Sequence, residues 1–325
     1  MYNVSSSPHV KAKMTTQSIM RDVIIALMPA AIFGVYNYTN LFGIDYGLRT
    51  VLLIAYTIAT CVISEYLFNK ITKRKQTISD LSAVVTGLIL AMNLPCTFPY
   101  WQAMLGGVFA IIIVKQLFGG LGQNFMNPAL GARCFLMLSF AGSMTAFYPT
   151  GIKGVDAATS ATPLTALKNA GESSASLLDM FVGNHSGTIG ETSIIALLIG
   201  ALYLVIKRII DIRIPLTYIG VFAVCIMLFN SQTDPVFLAQ HLCGGGLIFG
   251  AFFMATDYTT SPITKRGRYI FGICLGILTA IFRTFGANAE GVSYAIIFCN
   301  LLVPLIEKYT IPRAFGIKRS KKEGR

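Results

Sequence analysis

The feature that most restricts what this chain can become is its division into apolar blocks, each about as long as a bilayer is thick. The first, residues 23–42, contains no Lys, Arg, Asp or Glu. A helix of that length rises about 30 Å, the depth of a hydrocarbon core. Further blocks occupy residues 48–68 and 81–98, two more end near 118 and 147, and the rest lie at 192–206, 214–229, 236–255, 269–285 and 292–309. Only 12% of the 325 residues are charged, against about a quarter in a soluble domain. In lipid the backbone must satisfy its own hydrogen bonds, so such blocks become helices. The sequence predicts an all-α integral membrane protein with about ten transmembrane helices in the lipid bilayer. The polar start and the absence of a small-residue cleavage site argue against a removable signal peptide.

A net charge of +12 would suggest a nucleic-acid partner in a soluble chain. Here it has another source, and no nucleic acid is expected. Ten crossings put both termini on one side. On that layout 22 of the 26 Lys and Arg lie with the termini, leaving only Arg49, Lys153, Lys168 and Arg283 on the other face. The 14 acids divide seven and seven. A bias confined to basic residues is the positive-inside signature. It predicts a multi-pass protein of the cell inner membrane with cytoplasmic termini and an outward-facing polar segment between the fifth and sixth blocks.

The expected organisation is a tail at 1–22, a five-helix set at 23–147, an extracytoplasmic segment at 148–191, a second five-helix set at 192–309 and a basic tail at 310–325. Five is odd, so the second set starts on the opposite side, as an inverted repeat does. A weak echo supports this: G-L-I-L-A-M-N-L-P from Gly87 against G-A-F-F-M-A-T-D from Gly250. Glycine-interrupted spans of this kind line midplane binding sites.

Few residues offer chemistry. The seven cysteines are scattered without a C-x-x-C pair, and the three histidines lack metal-ligand spacing, so no metal centre is expected. No hydrolase or phosphate-loop motif is present, and no catalytic residue is assigned. Asn124 and Asn127 share one face of a turn beside Pro128 and suit recognition of a heteroaromatic edge, or helix capping, or both. Asp257 is a candidate for ion coupling or a partner of Lys265, Arg266 or Arg268. Glu191 is a second coupling candidate, or an acid favoured by a helix N-terminus. Arg283 breaks the charge bias and would meet an outer acid or an anionic group, while His241 reads as a satisfied core histidine. The small, hydroxyl-rich run D-A-A-T-S-A-T at residues 156–162 reads on composition alone as surface loop.

At that run the chain resembles the D-subunit family of the Rnf electron-transport complexes, related to the B subunit of the sodium-pumping NADH:quinone oxidoreductase. The family motif is D-x-x-[ST]-[GS]-A-T, here with Ser160 where many relatives carry Gly. Four other stretches agree in order. They are S-P-H at residues 7–9 with S-I-M-R-D-V at 18–23, N-F-M-N-P-A from Asn124, G-T-I-G-E-T-S from Gly187 with Thr188 as a departure, and M-A-T-D from Met254 with Ser261 and Pro262.

The resemblance implies a flavin-carrying relay in a redox-driven Na+ or H+ pump acting between ferredoxin and NAD+. It implies FMN joined covalently through its phosphate to Thr162, with Asp156, Thr159 and Ser160 as recognition residues, and riboflavin held without a covalent bond near Asn124 and Asn127. Implied partners are a second covalent-FMN subunit, iron–sulfur subunits and an exported flavin transferase, which requires Thr162 to face outward. The chain would not be catalytic alone. The alternative is an inverted-repeat solute transporter or channel with no redox role.

Overall fold

A computed structural model describes residues 15–147, 162–170, 176–185, 187–231, 234–286 and 290–312, and among them every regular element is helical. Helix α1, Thr16–Phe42, starts on a capping box between Thr15 and Ser18 and stops where Gly43 takes φ +99°. After it come α2, Ile44–Ile71, and the short α3, Ser82–Met92. Helix α4, Tyr100–Val108, continues without a break as a π-helix, Phe109–Gln116. Then come α5, Pro128–Ser139, and one turn, α6, Ala141–Met144. Two short helices follow, α7, Pro163–Ala170, and α8, Leu177–Val182. The second half contains α9, Ile194–Ile206; α10, Arg213–Asn230; α11, Pro235–Cys243; and α12, Leu247–Phe249, which runs on as a π-helix, Gly250–Met254. Helices α13, Lys265–Phe285, and α14, Val292–Thr310, close the fold.

Each expected span overlaps a helix, but the helices differ in length. Five (α1, α2, α10, α13 and α14) are long and apolar enough to cross a membrane, and α11 with α12 makes a sixth only as a pair bent by 63°. Helices α3, α5 and α9 are apolar but shorter. The ten-crossing count and the inverted repeat therefore do not follow from helix length. The large apolar side chains left exposed on these helices, such as Ile32, Ile63 and Leu202, fit a lipid-facing surface.

Close backbone approach packs several helices against one another. A Cβ on Gly200 of α9 would collide with the Ala26 carbonyl oxygen of α1. Between α10 and α13 a Cβ on Gly276 would lie 2.8 Å from the Phe222 nitrogen. Small residues do this where lipid supplies no hydrophobic drive between helices.

Two expected spans are interrupted. The span over 81–98 is helical only to Met92, because Asn93 turns its amide back onto the Ile89 carbonyl and Pro95 cannot continue the ladder. The freed carbonyls of Met92 and Leu94 accept from Gly190 N and Ile189 N at 2.7 and 3.0 Å. The span over 236–255 breaks at Gly244–Gly246, where Gly245 takes φ +62°. There Arg283 donates to the carbonyls of His241 and Gly244. The fifth block likewise ends its main helix at Ser139 rather than near 147.

The interior holds a buried ion pair that the apolar pattern obscures. Lys115 Nζ lies 2.9 Å from Glu65 Oε2 and 2.6 Å from Ser82 Oγ, and Gln116 and Thr77 donate to the other carboxylate oxygen. Both charges are essentially without solvent. Breaking such a pair by removing one partner costs about 3–5 kcal/mol, whereas removing both charges is often near neutral. Lys115→Met is therefore expected to lower the thermal midpoint of the purified chain sharply, and Glu65→Gln combined with Lys115→Met to restore most of it.

Candidate functional site

Polar side chains gather at the two opposite ends of the bundle. At the end where α13 begins, a cavity of about 80 Å³ lies among α1, α3, α5 and the α12 extension, lined in part by Lys115, Asn124, Asn127, Asp257 and Thr259. Asn127 caps α5: its Oδ1 accepts from Ala129 N and Leu130 N, at 3.1 and 3.4 Å, and Pro128 follows as the first helical residue. Its Nδ2 reaches the Met254 carbonyl at 3.4 Å. Asn124 donates to Met126 O and to Thr259 Oγ1, both at 3.1 Å. Its own Oδ1 is buried and has no hydrogen-bond partner. Asn127 is thus a helix cap, and both asparagines line the cavity.

Asp257 is linked to that site through hydroxyls. Thr259 and Thr260 donate to its Oδ2 at 2.9 and 3.2 Å. The pairing considered with Lys265, Arg266 or Arg268 does not form: Arg268 goes to Asp211, whose carboxylate it shares with Arg213. Burial alone would raise the Asp211 carboxyl, but the Arg213 backbone N–H and the Arg268 guanidinium outweigh it and hold the group below the usual carboxylate value. Asn300, which belongs to no motif in the sequence, joins the same end. With its amide oriented to satisfy its neighbours, it accepts from Asn127 N at 3.2 Å and donates to Thr260 O at 3.1 Å.

The other end holds Thr162. It immediately precedes α7, and its carbonyl accepts the first helical bond, from Ala166 N. Its Oγ1 lies 2.8 Å from Thr165 Oγ1 and accepts from Thr165 N. A hydroxyl at a helix N-terminus suits an attached phosphate, whose charge the orphan N–H groups favour. Thr162 is only 6% exposed. Asp156, Thr159 and Ser160 lie outside the described residues.

Glu191 belongs to this end and does more than precede α9. It is buried and sits 3.6 Å from Arg133, which also pairs with Glu290 and donates to Ser293 Oγ at 2.7 Å. One arginine on α5 thereby gathers acids from before α9 and before α14. Arg283 pairs with no acid within 4 Å among the described residues; it serves the carbonyls at the α11–α12 break and lies over the Phe222 ring. His241 is buried, but its Nδ1 has no partner, so it is not the satisfied core histidine expected. His185, in the loop before α9, is pushed down from the usual imidazole value by burial. Glu65, Lys115 and Arg133 are functional-looking interior charges that no motif marks, although charges inside apolar blocks are the signal that finds them.

Among the described residues no cluster of His, Cys, Asp and Glu could hold a metal ion, and the seven cysteines are free thiols. With the geometry in view, the comparisons with known proteins are specific. The model of the NQR2, RnfD, RnfE family matches residues 3–316. The chain is 47% identical to the D subunit of the Na(+)-translocating ferredoxin:NAD(+) oxidoreductase complex of Acetobacterium woodii, over 99% of this chain and 98% of that protein. It is 41% identical to the D subunit of the proton-translocating ferredoxin:NAD(+) oxidoreductase complex of Clostridium ljungdahlii, over 98% and 97%. A third relative, the D subunit of the ion-translocating oxidoreductase complex of Actinobacillus succinogenes, is 34% identical over 97% and 98%. A match over nearly the whole length, running in order through both ends of the bundle, places this integral membrane protein in the NQR2, RnfD, RnfE family.

Proposed function

We propose that this chain is the flavin-carrying membrane subunit of an ion-translocating ferredoxin:NAD+ oxidoreductase complex. Its two polar ends, on this reading, are two stations for flavin: FMN bound covalently at Thr162 on the outer face and riboflavin held at Asn124 and Asn127 on the cytoplasmic side. Flavin supplies one- and two-electron transfer when bound. The observation that carries the proposal is the pairing of a phosphate-compatible hydroxyl at one end of the bundle with an unsatisfied, buried amide oxygen at the other.

The residues divide the work. Thr162 contributes its oxygen as the nucleophile on the flavin-side phosphorus of a flavin dinucleotide: the new O–P bond forms as the P–O–P bridge breaks, the other nucleotide leaves as its monophosphate, the hydroxyl proton passes to solvent, and the α7 N-terminus then faces the phosphate charge. Asp156, Thr159 and Ser160 serve as the recognition sequence of an exported transferase. At the other end Asn124 Oδ1 is an acceptor in search of a donor, the match for the imide N–H of a flavin ring. The cavity of about 80 Å³ suits that donor set but must widen for the ring, and the flexible Met20 and Leu121 among its lining residues can yield. Asp257, bonded through Thr259 to Asn124, is placed to feel charge arriving in the cavity. That linkage makes it the stronger coupling residue, while Glu191 has a buried arginine to balance it. The relatives' names divide between Na+ and H+, and the translocated ion is left as either. Iron–sulfur subunits and a second covalent-FMN subunit complete the electron path in this assignment.

Two experiments test the proposal. With the transferase co-expressed, in-gel flavin fluorescence of the denatured chain is expected in the wild type and lost in Thr162→Val. A dark wild-type band, beside a control substrate that the same transferase labels, would favour a transporter or channel without redox function. For coupling, Asp257→Asn is expected to reduce ion transport by the assembled complex well beyond any change in its flavin content. Equal loss of both would make Asp257 a structural residue.

A further inference from the structure

At the end of the bundle where α13 begins, an open cavity of about 390 Å³ lies between the loop joining α9 to α10 and the turn that leads into α13. Its walls include Arg208, Asp211, Ile212, Tyr258, Ser261 and Arg268. We propose that this cavity seats the phosphodiester headgroup of an anionic phospholipid, held by Arg208 and Arg268, with the acyl chains running along α9 and α10. The inference needs no flavin and stands apart from the function proposed above.

Three observations carry it. The first is where Arg208 is held. Helix α9 ends in a Schellman turn, in which Ile209 N donates to Leu204 O and Arg208 N to Val205 O, both at 2.9 Å. The turn requires a left-handed residue, a position that favours glycine, and the residue here is Arg208 at φ +55°. Packing does not repay that strain. The Arg208 side chain is exposed and makes no hydrogen bond or ion pair among the described residues. Backbone strain kept without a packing gain is a mark of a functional position. The loop itself is fixed, because Tyr258 donates its hydroxyl to the Ile209 carbonyl.

The second is the balance of charge. Asp211 is the one acid in the cavity wall, and its oxygens are already engaged. Oδ1 accepts from Arg213 N at 3.0 Å, and Oδ2 accepts from Arg213 Nη1 at 3.3 Å and from Arg268 Nη1. The pairing orients Arg268, whose Nε also donates to the Pro262 carbonyl at 3.1 Å, and leaves its Nη2 uncommitted. Arg208 has no acid to answer it, and the Ser261 hydroxyl makes no hydrogen bond within the described residues. Two guanidinium groups and a hydroxyl around one space form a donor set for phosphate oxygens.

The third is depth. The apolar run of α9 ends at Ile206, with Lys207 and Arg208 directly after it, while α10 begins at Arg213 and α13 at Lys265. The cavity thus sits where apolar helices give way to basic chain, the level of headgroup phosphates. Lys207 lies over the Tyr203 ring beside it, an aromatic anchor of the kind found at that level. Ile206, Ile212 and Leu216 are exposed next to the cavity and give acyl chains an apolar track. Basic pockets between membrane helices hold anionic headgroups in this way.

The test uses the full chain in bilayers. Trp101 is its only tryptophan, so Trp101→Phe with Leu216→Trp leaves one fluorophore, on α10 one turn past Ile212. Quenching by brominated phosphatidylglycerol against brominated phosphatidylcholine then reads the relative affinity of the two lipids at this place. The reporter chain is expected to favour phosphatidylglycerol about fivefold or more. Arg208→Gly, which relieves the strained turn, should bring the two lipids close to parity without lowering the thermal midpoint, and Arg208→Gln should do the same to the preference. Lys265→Gln with Arg266→Gln, which removes two exposed charges outside the cavity wall, should leave the preference unchanged. Equal quenching by both lipids in the reporter chain, or a preference that survives Arg208→Gln, would overturn the inference. So would an equal fall in the Lys265–Arg266 double variant, which would mean diffuse attraction to a charged surface. Loss of the preference to inorganic phosphate, at constant ionic strength, would make this a site for free phosphate and overturn the lipid assignment.

Discussion

Everything in this fold depends on satisfying backbone carbonyls where a membrane helix is interrupted. Inside a bilayer a freed carbonyl has no water to turn to, so each break needs a protein donor. Met92 and Leu94, past the end of α3, are met by the backbone of Gly190 and Ile189. His241 and Gly244, at the break before α12, are met by Arg283. Met254, at the end of the π-helical stretch, is met by the amide of Asn127. Each donor comes from outside the helix it serves, and the bonds of Gly190, Ile189 and Asn127 also tie the first half of the chain to the second.

These breaks put polar groups where function needs them. A continuous span offers only side chains to its surroundings, whereas an interrupted one brings backbone, caps and short loops into the interior. Asn127 acts as helix cap, donor to a broken helix and cavity wall at once. Arg283 likewise holds a helix break with two nitrogens, and its Nε is buried without a partner. The proposed flavin stations thus grow out of the architecture, and the interior charges, Glu65 with Lys115 and Arg133 with Glu191 and Glu290, brace it nearby.

Much of the fold was legible because apolar length is a strong signal. The all-helical membrane class, the family and the interruption near Gly244 all follow from it or from the motifs. Other features were not legible. Where α3 ends depends on Asn93 and on bonds to residues about a hundred positions later, and no local pattern reports those. Lys115 looks like the basic flank of a span because its partner, Glu65, lies fifty residues away. Arg283 stands out by sign alone, which suggests an acid as partner where the structure supplies carbonyls. Asp257 is unusual by position, yet its hydroxyl partners, two and three residues on, are weaker sequence signals than the basic cluster that follows.

The central claim is that the Thr162 end and the asparagine end open on opposite faces of the membrane. Sided cysteine labelling tests it most directly. Leu178→Cys on α8 and Lys73→Cys after α2 are both exposed positions at opposite ends of the bundle. In right-side-out vesicles a membrane-impermeant maleimide should label Leu178→Cys above the wild-type background at once, and Lys73→Cys only after the vesicles are opened. Labelling of both variants in sealed vesicles would place the two ends on one face and contradict electron transfer between faces through this chain.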